Sequence, residues 1–162
     1  MAAGRSRLLG LSEAPPERAP RVLGVDEFTF RKGCTYGTVL VDVEACRVVD
    51  VLPDRTSETF AAWLKVHPGA EITCDRATAC TEAIKEAAPD ALEVADGWQL
   101  LHPMQGFAGF LRQDLDAVTA GLTLPWSSGV VEGHVKRVKT LKRAMYRRAS
   151  FELLRTRILI QP

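Results

Sequence analysis

Three acidic residues occupy positions from which they could form one metal-binding site. Asp26 lies inside an apolar run, Asp75 directly follows another, and Glu132 begins a stretch rich in lysine and arginine. A charged carboxylate in a half-buried strand costs free energy unless it is paired or binds a cation. Three converging carboxylates would repel one another unless divalent cations lay between them. The residue types therefore predict a cation site if the fold brings them together.

The chemistry of such a site would be that of phosphodiesters. Two divalent cations about 4 Å apart can activate a water or a 3′-hydroxyl and stabilise the leaving oxygen. Magnesium suits this role because it prefers oxygen ligands and retains waters for a substrate. We therefore predict Mg²⁺ (or Mn²⁺) as the cofactor.

Each acid also has an ordinary structural explanation. Asp26 could face solvent or pair with Arg31. Asp75 could cap a helix that begins at Arg76, because aspartate accepts hydrogen bonds well at that position. Glu132 would suit the positive end of a helix dipole. These alternatives stay open for the single residues, and only the fold can decide whether the three converge.

The charge of the chain is concentrated at one end. Residues 132–157 contain nine Lys or Arg and two Glu, whereas the whole chain has a net charge of +1. Such asymmetry predicts a polyanionic partner for this region. Helical spacing places Lys136 and Lys139 on the same face as Glu132. A solvated charged face with no partner is the alternative. Candidate DNA contacts are Lys136, Arg137, Lys139, Lys142, Arg143, Arg147 and Arg148.

The chain has three histidines, which are isolated from one another in the sequence. We interpret His67, His102 and His134 as surface or packing residues, with a position beside phosphate as the alternative for His134. The apolar face that can pack on a sheet contains Val131, Val135, Val138 and Leu141 or Met145.

Composition indicates one ordinary globular domain. The chain has 162 residues, of which 46% are hydrophobic and 25% charged, which argues against disorder. The four cysteines, at 34, 46, 74 and 80, match no zinc-ligand spacing, and we expect them to be reduced and buried. No apolar run approaches the length of a membrane span, and no signal sequence is recognised, so we expect a cytoplasmic protein without membrane contact.

Hydrophobic periodicity predicts alternating strands and helices after an irregular segment, residues 1–20. The predicted strands are Val22–Phe30, Tyr36–Val43, Arg47–Leu52, Glu71–Cys74 and Leu92–Ala95. The predicted helices run from Thr56 or Ser57 to His67, then Arg76–Ala88, 105–121, Val130–Arg148 and Phe151–Ile160.

This order predicts the fold class. Three strands joined by short turns form an antiparallel meander, and strands reached through helices add to it in parallel. The result is an α/β fold over residues 21–162, with a mixed five-stranded sheet, flanking helices and basic C-terminal helices. That is the outline of a ribonuclease-H-like fold. In it the first and fourth strands lie side by side, which would bring Asp26 near Asp75.

Several ordered motifs resemble one family. They are Leu23-Gly24-Val25-Asp26-Glu27-Phe28, Tyr36-Gly37-Thr38, Asp75-Arg76, Pro125-Trp126-Ser127-Ser128-Gly129 and Glu132-Gly133. Together they resemble the catalytic domain of bacterial insertion-sequence DDE transposases of the ISL3 type, from about residue 22 to residue 160. The resemblance implies that Asp26, Asp75 and Glu132 are the catalytic acids and metal ligands. It also implies cleavage and strand transfer of double-stranded DNA at the element ends and target, by an enzyme that can form homo-oligomers.

Two departures from the family pattern bear on activity. Family members usually carry an N-terminal zinc-binding and helix-turn-helix region, and a long helical insertion between the second aspartate and the glutamate. Here only 56 residues separate Asp75 from Glu132, and the join falls near residues 102–104. We therefore expect impaired transposition. The alternatives are a non-catalytic DNA-binding remnant that uses the basic helices, and an unrelated α/β domain with no nucleic-acid role.

Overall fold

A computed structural model describes residues 16–31, 35–74, 78–94, 115–126, 128–145 and 150–160. The strands are β1 (Val22–Arg31), β2 (Thr35–Asp42), β3 (Arg47–Leu52), β4 (Ile72–Cys74) and β5 (Leu92–Glu93). The helices are α1 (Ser57–Val66), α2 (Thr78–Ala87), α3 (Leu115–Thr123), α4 (Gly129–Ala144) and α5 (Phe151–Ile160).

These elements follow the predicted order. The bounds predicted for β3 and α5 are those observed, and the other described elements differ by a few residues at their ends. The helix predicted over 105–121 is described only from Leu115, because residues 95–114 lie outside the described part of the chain. The predicted extension of α4 to Arg148 also lies outside it, beyond Met145.

The five strands form one mixed sheet in the order β3-β2-β1-β4-β5. β1 pairs antiparallel with β2, and β2 with β3, as expected for strands joined by short turns. β4 lies parallel to β1 and to β5, because helices α1 and α2 form the crossovers. The mixed five-stranded sheet flanked by helices confirms the predicted α/β class and is consistent with a ribonuclease-H-like fold.

Alternate residues of β1 face the two helical layers. Leu23 and Val25 lie in the core beneath α1 and α2, which includes Phe60. Val22 and Phe28 face the opposite layer, where α4 and α5 pack. The residues of α4 buried on that side are those predicted for its apolar face: Val131, Val135 and Val138. The position of a residue along β1 therefore determines which helical layer its side chain contacts.

Helix α1 begins where the sequence predicted. The Thr56 side chain accepts a hydrogen bond from the Thr59 backbone N–H, as an N-cap residue does. Asp54 supports this turn. Burial alone would raise the pKa of Asp54, but hydrogen bonds from Thr56 and Thr59 outweigh it and hold that pKa below its usual value.

A buried ion pair on edge strand β3 was not predicted. Asp50 is 5% exposed. Its Oδ2 accepts a hydrogen bond of 3.0 Å from Trp63 Nε1 of α1. Its Oδ1 accepts from Arg155 of α5, at 2.9 Å from Nε and 2.7 Å from Nη2. One carboxylate thus joins both helical layers to the edge of the sheet.

The expectation that the cysteines are buried holds for Cys80 and is wrong for Cys46. Cys46 lies in the turn between β2 and β3, with a φ of 52°, and such turns lie on the surface. Cys34 and the side chain of Cys74 lie outside the described part. Among the described residues, no helix has the length and apolar character needed to cross a membrane.

Candidate active site

Asp26 lies on the face of β1 that is covered by α4. Its side chain is half-buried, and its Oδ1 accepts a hydrogen bond of 2.6 Å from the Glu27 backbone N–H. The alternative of a fully solvent-facing strand residue therefore does not apply. The side chain of Arg31, the other partner considered, lies outside the described part.

Gly24 allows α4 to approach this face closely. A Cβ at Gly24 would lie 2.3 Å from Val131 Cγ2 and 3.0 Å from Val43 Cγ2, and the first distance is too short for any real contact. Only glycine leaves room for the helix at this point. Since Val131 precedes Glu132, the same contact places the start of α4 near Asp26. In the sequence, Gly24 lies two residues before Asp26 and so on the same face of the strand. This spacing could have indicated the close approach of a helix, but it was not used in the sequence-based prediction.

The electrostatics of Asp26 show which charges share its surroundings. Burial raises the pKa of the Asp26 carboxyl above its usual range. The Glu27 N–H and the Lys139 ammonium oppose this shift, whereas the negative charges of Glu132 and Glu27 add to it. Glu132 also forms an ion pair with Lys136, with 3.4 Å between Oε2 and Nζ. Asp26, Glu132 and Lys139 are thus brought together.

The raised pKa predicts how stability should depend on pH without metal. Folding favours protonated Asp26, so its contribution is fully present below the unfolded value of 3.8 and is lost as pH rises through the higher folded pKa. Asp26→Asn has no such loss. We expect the variant to melt above the wild type near pH 7, and this difference in melting temperature to shrink as pH falls toward 3.8. Parallel melts in EDTA from about pH 4 to about pH 7 would measure the difference.

The wild type and Asp26→Asn share every other carboxyl group. The titration of those groups therefore cancels in the difference between the two melting temperatures. A difference in melting temperature that stays constant over this range, or that favours the wild type at neutral pH, would show that Asp26 is not destabilised when charged.

Asp75 lies outside the described part of the chain. Cys74, the residue before it, pairs with Gly24, so the described end of β4 lies beside β1, two residues before Asp26. The predicted neighbourhood of the first and fourth strands is therefore observed, while Asp75 as the third acid remains a prediction. Within the described residues, no group of three or more His, Cys, Asp or Glu side chains could hold a metal.

Comparison with known families finds a match for the part of the chain that runs from β1 past β5. A family model described as a transposase, of the ISL3 type of DDE enzymes, matches residues 23–99. Residues 23–99 are therefore similar to the ISL3 family of DDE transposases. This transposase segment is just under half of the chain; it contains Asp26 and Asp75 and ends before Glu132. No curated protein matches the chain.

The two carboxylates that the structure brings together, Asp26 and Glu132, suit a hard divalent cation. Asp26 and Glu132 offer carboxylate oxygens, the ligands that Mg²⁺ prefers. Burial is the main cause of the raised pKa of Asp26, and the negative charge of Glu132 adds to it; a bound cation would relieve that repulsion. The Lys139 ammonium already opposes it in part.

The predicted DNA contacts have different surroundings on α4. Lys136, Lys139 and Arg143 are exposed. Arg137 is partly buried, and Lys142 donates a hydrogen bond from Nζ to the Thr29 carbonyl of β1. The remaining two lie outside the described part: Arg147 and Arg148.

Trp126, just before α4, packs against the apolar core on this side of the sheet. The Arg21 guanidinium lies 5.6 Å from the centroid of its ring, a cation–π distance. Packing under the sheet is therefore the role that the structure shows for this ring.

Proposed function

We propose that this chain carries a DDE transposase site in which Asp26, Asp75 and Glu132 bind Mg²⁺ or Mn²⁺. The observation that supports it is the half-buried Asp26 facing Glu132 and Lys139 of α4 across the contact at Gly24. The site would cleave phosphodiesters and transfer strands at insertion-sequence ends. Its activity would be impaired by the short Asp75–Glu132 interval, and the working form would be a homo-oligomer.

Different residues of the chain would bind the metal and the DNA. Asp26 is held by a central strand and Glu132 by a helix, so both would present their oxygens from rigid elements. Bound divalent cations supply activation of the attacking oxygen and stabilisation of the leaving oxygen. Lys136, Lys139 and Arg143 would contact backbone phosphates of duplex DNA, which fixes its position without reading its sequence.

Thermal melting with manganese tests the metal site. A ligand at about 100 times its dissociation constant stabilises the native state by about 2.7 kcal/mol, or roughly 5–10 °C here. We expect the wild type to show this rise and Asp26→Asn and Glu132→Gln to lose it. Glu86→Gln is the matched control, because Glu86 is an exposed carboxylate on α2 paired with Lys65 at 2.6 Å. That variant should respond like the wild type.

A manganese response that persists in Asp26→Asn would refute this site. A response that is absent from every protein, combined with salt-dependent DNA binding, would support the second candidate function, a non-catalytic DNA-binding remnant. The exposed cations of α4 favour that alternative. Replacing Lys139 and Arg143 with alanine should then weaken DNA binding. Nicking of supercoiled plasmid by the wild type, with Asp26→Asn as the negative control, separates the two functions.

A further inference from the structure

His134, two residues after Glu132 on α4, turns both ring nitrogens toward protein. Its Nε2 lies 3.0 Å from the carbonyl oxygen of Cys46 in the turn between β2 and β3. Since a carbonyl only accepts, Nε2 is the donor. Its Nδ1 is buried and has no hydrogen-bond partner among the described residues. The ring therefore contacts the turn that joins β2 and β3, and does not lie on the exposed face of the helix.

Lys142, two turns later, also reaches the sheet. Its Nζ donates to the carbonyl of Thr29, near the end of β1. The ladder between β1 and β2 is interrupted there by a register shift between Thr29 and Arg31, and the pairing described between β1 and β4 extends only to Gly24. A backbone carbonyl at an interrupted ladder needs another donor. The Lys142 ammonium supplies one.

We propose that His134 and Lys142 are positioning residues that clamp α4 to the first three strands. They lie about 12 Å apart along the helix axis, on either side of Lys139 in the sequence. Two fixed points at this separation prevent the helix from pivoting about the contact at Gly24. The clamp rests on the proposed function in one respect, because its purpose is to keep Glu132 and Lys139 opposite Asp26.

The test compares removal of each donor with its restoration. Lys142→Met and His134→Leu keep the side-chain bulk but cannot donate, whereas Lys142→Arg and His134→Gln can. Arg143→Met is the control, because it removes a neighbouring exposed cation. Three quantities are measured well below every melting temperature. They are manganese affinity by electron paramagnetic resonance, the salt dependence of duplex DNA affinity, and hydrogen exchange of the α4 amides.

We expect Lys142→Met and His134→Leu to weaken manganese binding about tenfold, as loss of a supporting hydrogen bond does. The α4 amides should exchange faster in these two variants, and the arginine and glutamine variants should restore both quantities. Arg143→Met should keep the wild-type manganese affinity and reduce the salt slope by about 0.9, the value for one phosphate contact.

The clamp is refuted if Lys142→Met changes the salt slope as Arg143→Met does and leaves metal affinity unchanged. It is also refuted if hydrogen exchange of α4 is the same in all variants. A wild type that binds no manganese would contradict the proposed function alone, because the exchange measurement needs neither metal nor DNA.

Discussion

Replacing Asp50 with alanine is expected to lower the free energy of unfolding by about 3 kcal/mol, or roughly 6–12 °C in melting temperature. Removing the carboxylate leaves the Arg155 guanidinium and Trp63 Nε1 without their acceptor. Arg155 is only 27% exposed, so water compensates its lost partner only in part, and the buried Trp63 N–H is left without an acceptor. Thermal and urea unfolding of the metal-free protein would measure the loss.

The matched control is the exposed pair between Lys65 and Glu86, which joins α1 to α2. Lys65→Met should change stability by less than about 1 kcal/mol, because both partners are solvated. Asp50→Asn keeps an acceptor for Trp63 and should fall between wild type and Asp50→Ala. Equal effects for Asp50→Ala and Lys65→Met would mean that the Asp50 pair does not hold α5 to the sheet.

Gly24→Ala is expected to destabilise the protein by about 2 kcal/mol and to abolish the manganese response. The new Cβ would lie 2.3 Å from Val131 Cγ2, and a branched side chain in a packed core cannot move aside freely. The helix must therefore shift away from β1 and take Glu132 with it. Melting with and without manganese measures both effects in one experiment.

Val131→Ala should rescue Gly24→Ala, because it removes the atom that the new methyl group meets. We expect the double variant to be more stable than the sum of the single changes predicts, a coupling that double-mutant cycles detect. Gly133→Ala is the control, since a Cβ there meets nothing within 4 Å. It should stabilise α4 by up to about 1 kcal/mol. Strict additivity of Gly24→Ala and Val131→Ala would argue against the contact.

Much of the fold could be predicted because its signals are local. The bounds of β3 follow from a run of β-branched residues between two turns, and those of α1 from a capping threonine and a following Pro-Gly. The approach of Glu132 to Asp26 was also predictable in outline, since helical spacing places the valines of α4 on the sheet. These inferences need only periodicity and short connections.

The rest depends on contacts between distant parts of the chain. Lys142 was predicted as a DNA contact, and its position in the basic stretch does not show that its side chain folds back to the Thr29 carbonyl. Asp50 lies in an apolar strand, and no neighbouring feature of the sequence indicates that Arg155 is its partner. Cys46 was expected to be buried from residue type alone, and its place in a turn overrides that preference.

The joining of α5 to edge strand β3 has a consequence for how the chain folds. Asp50 and Arg155 are separated by 105 positions, so their pairing closes about two thirds of the 162-residue chain into one loop. Contacts of such separation form late, because loop closure must precede them. During synthesis the outer edge of β3 therefore stays uncovered until α5 has left the ribosome. In that interval a strand of β-branched residues stays available to other chains, so a delay before α5 packs on β3 raises the risk of aggregation.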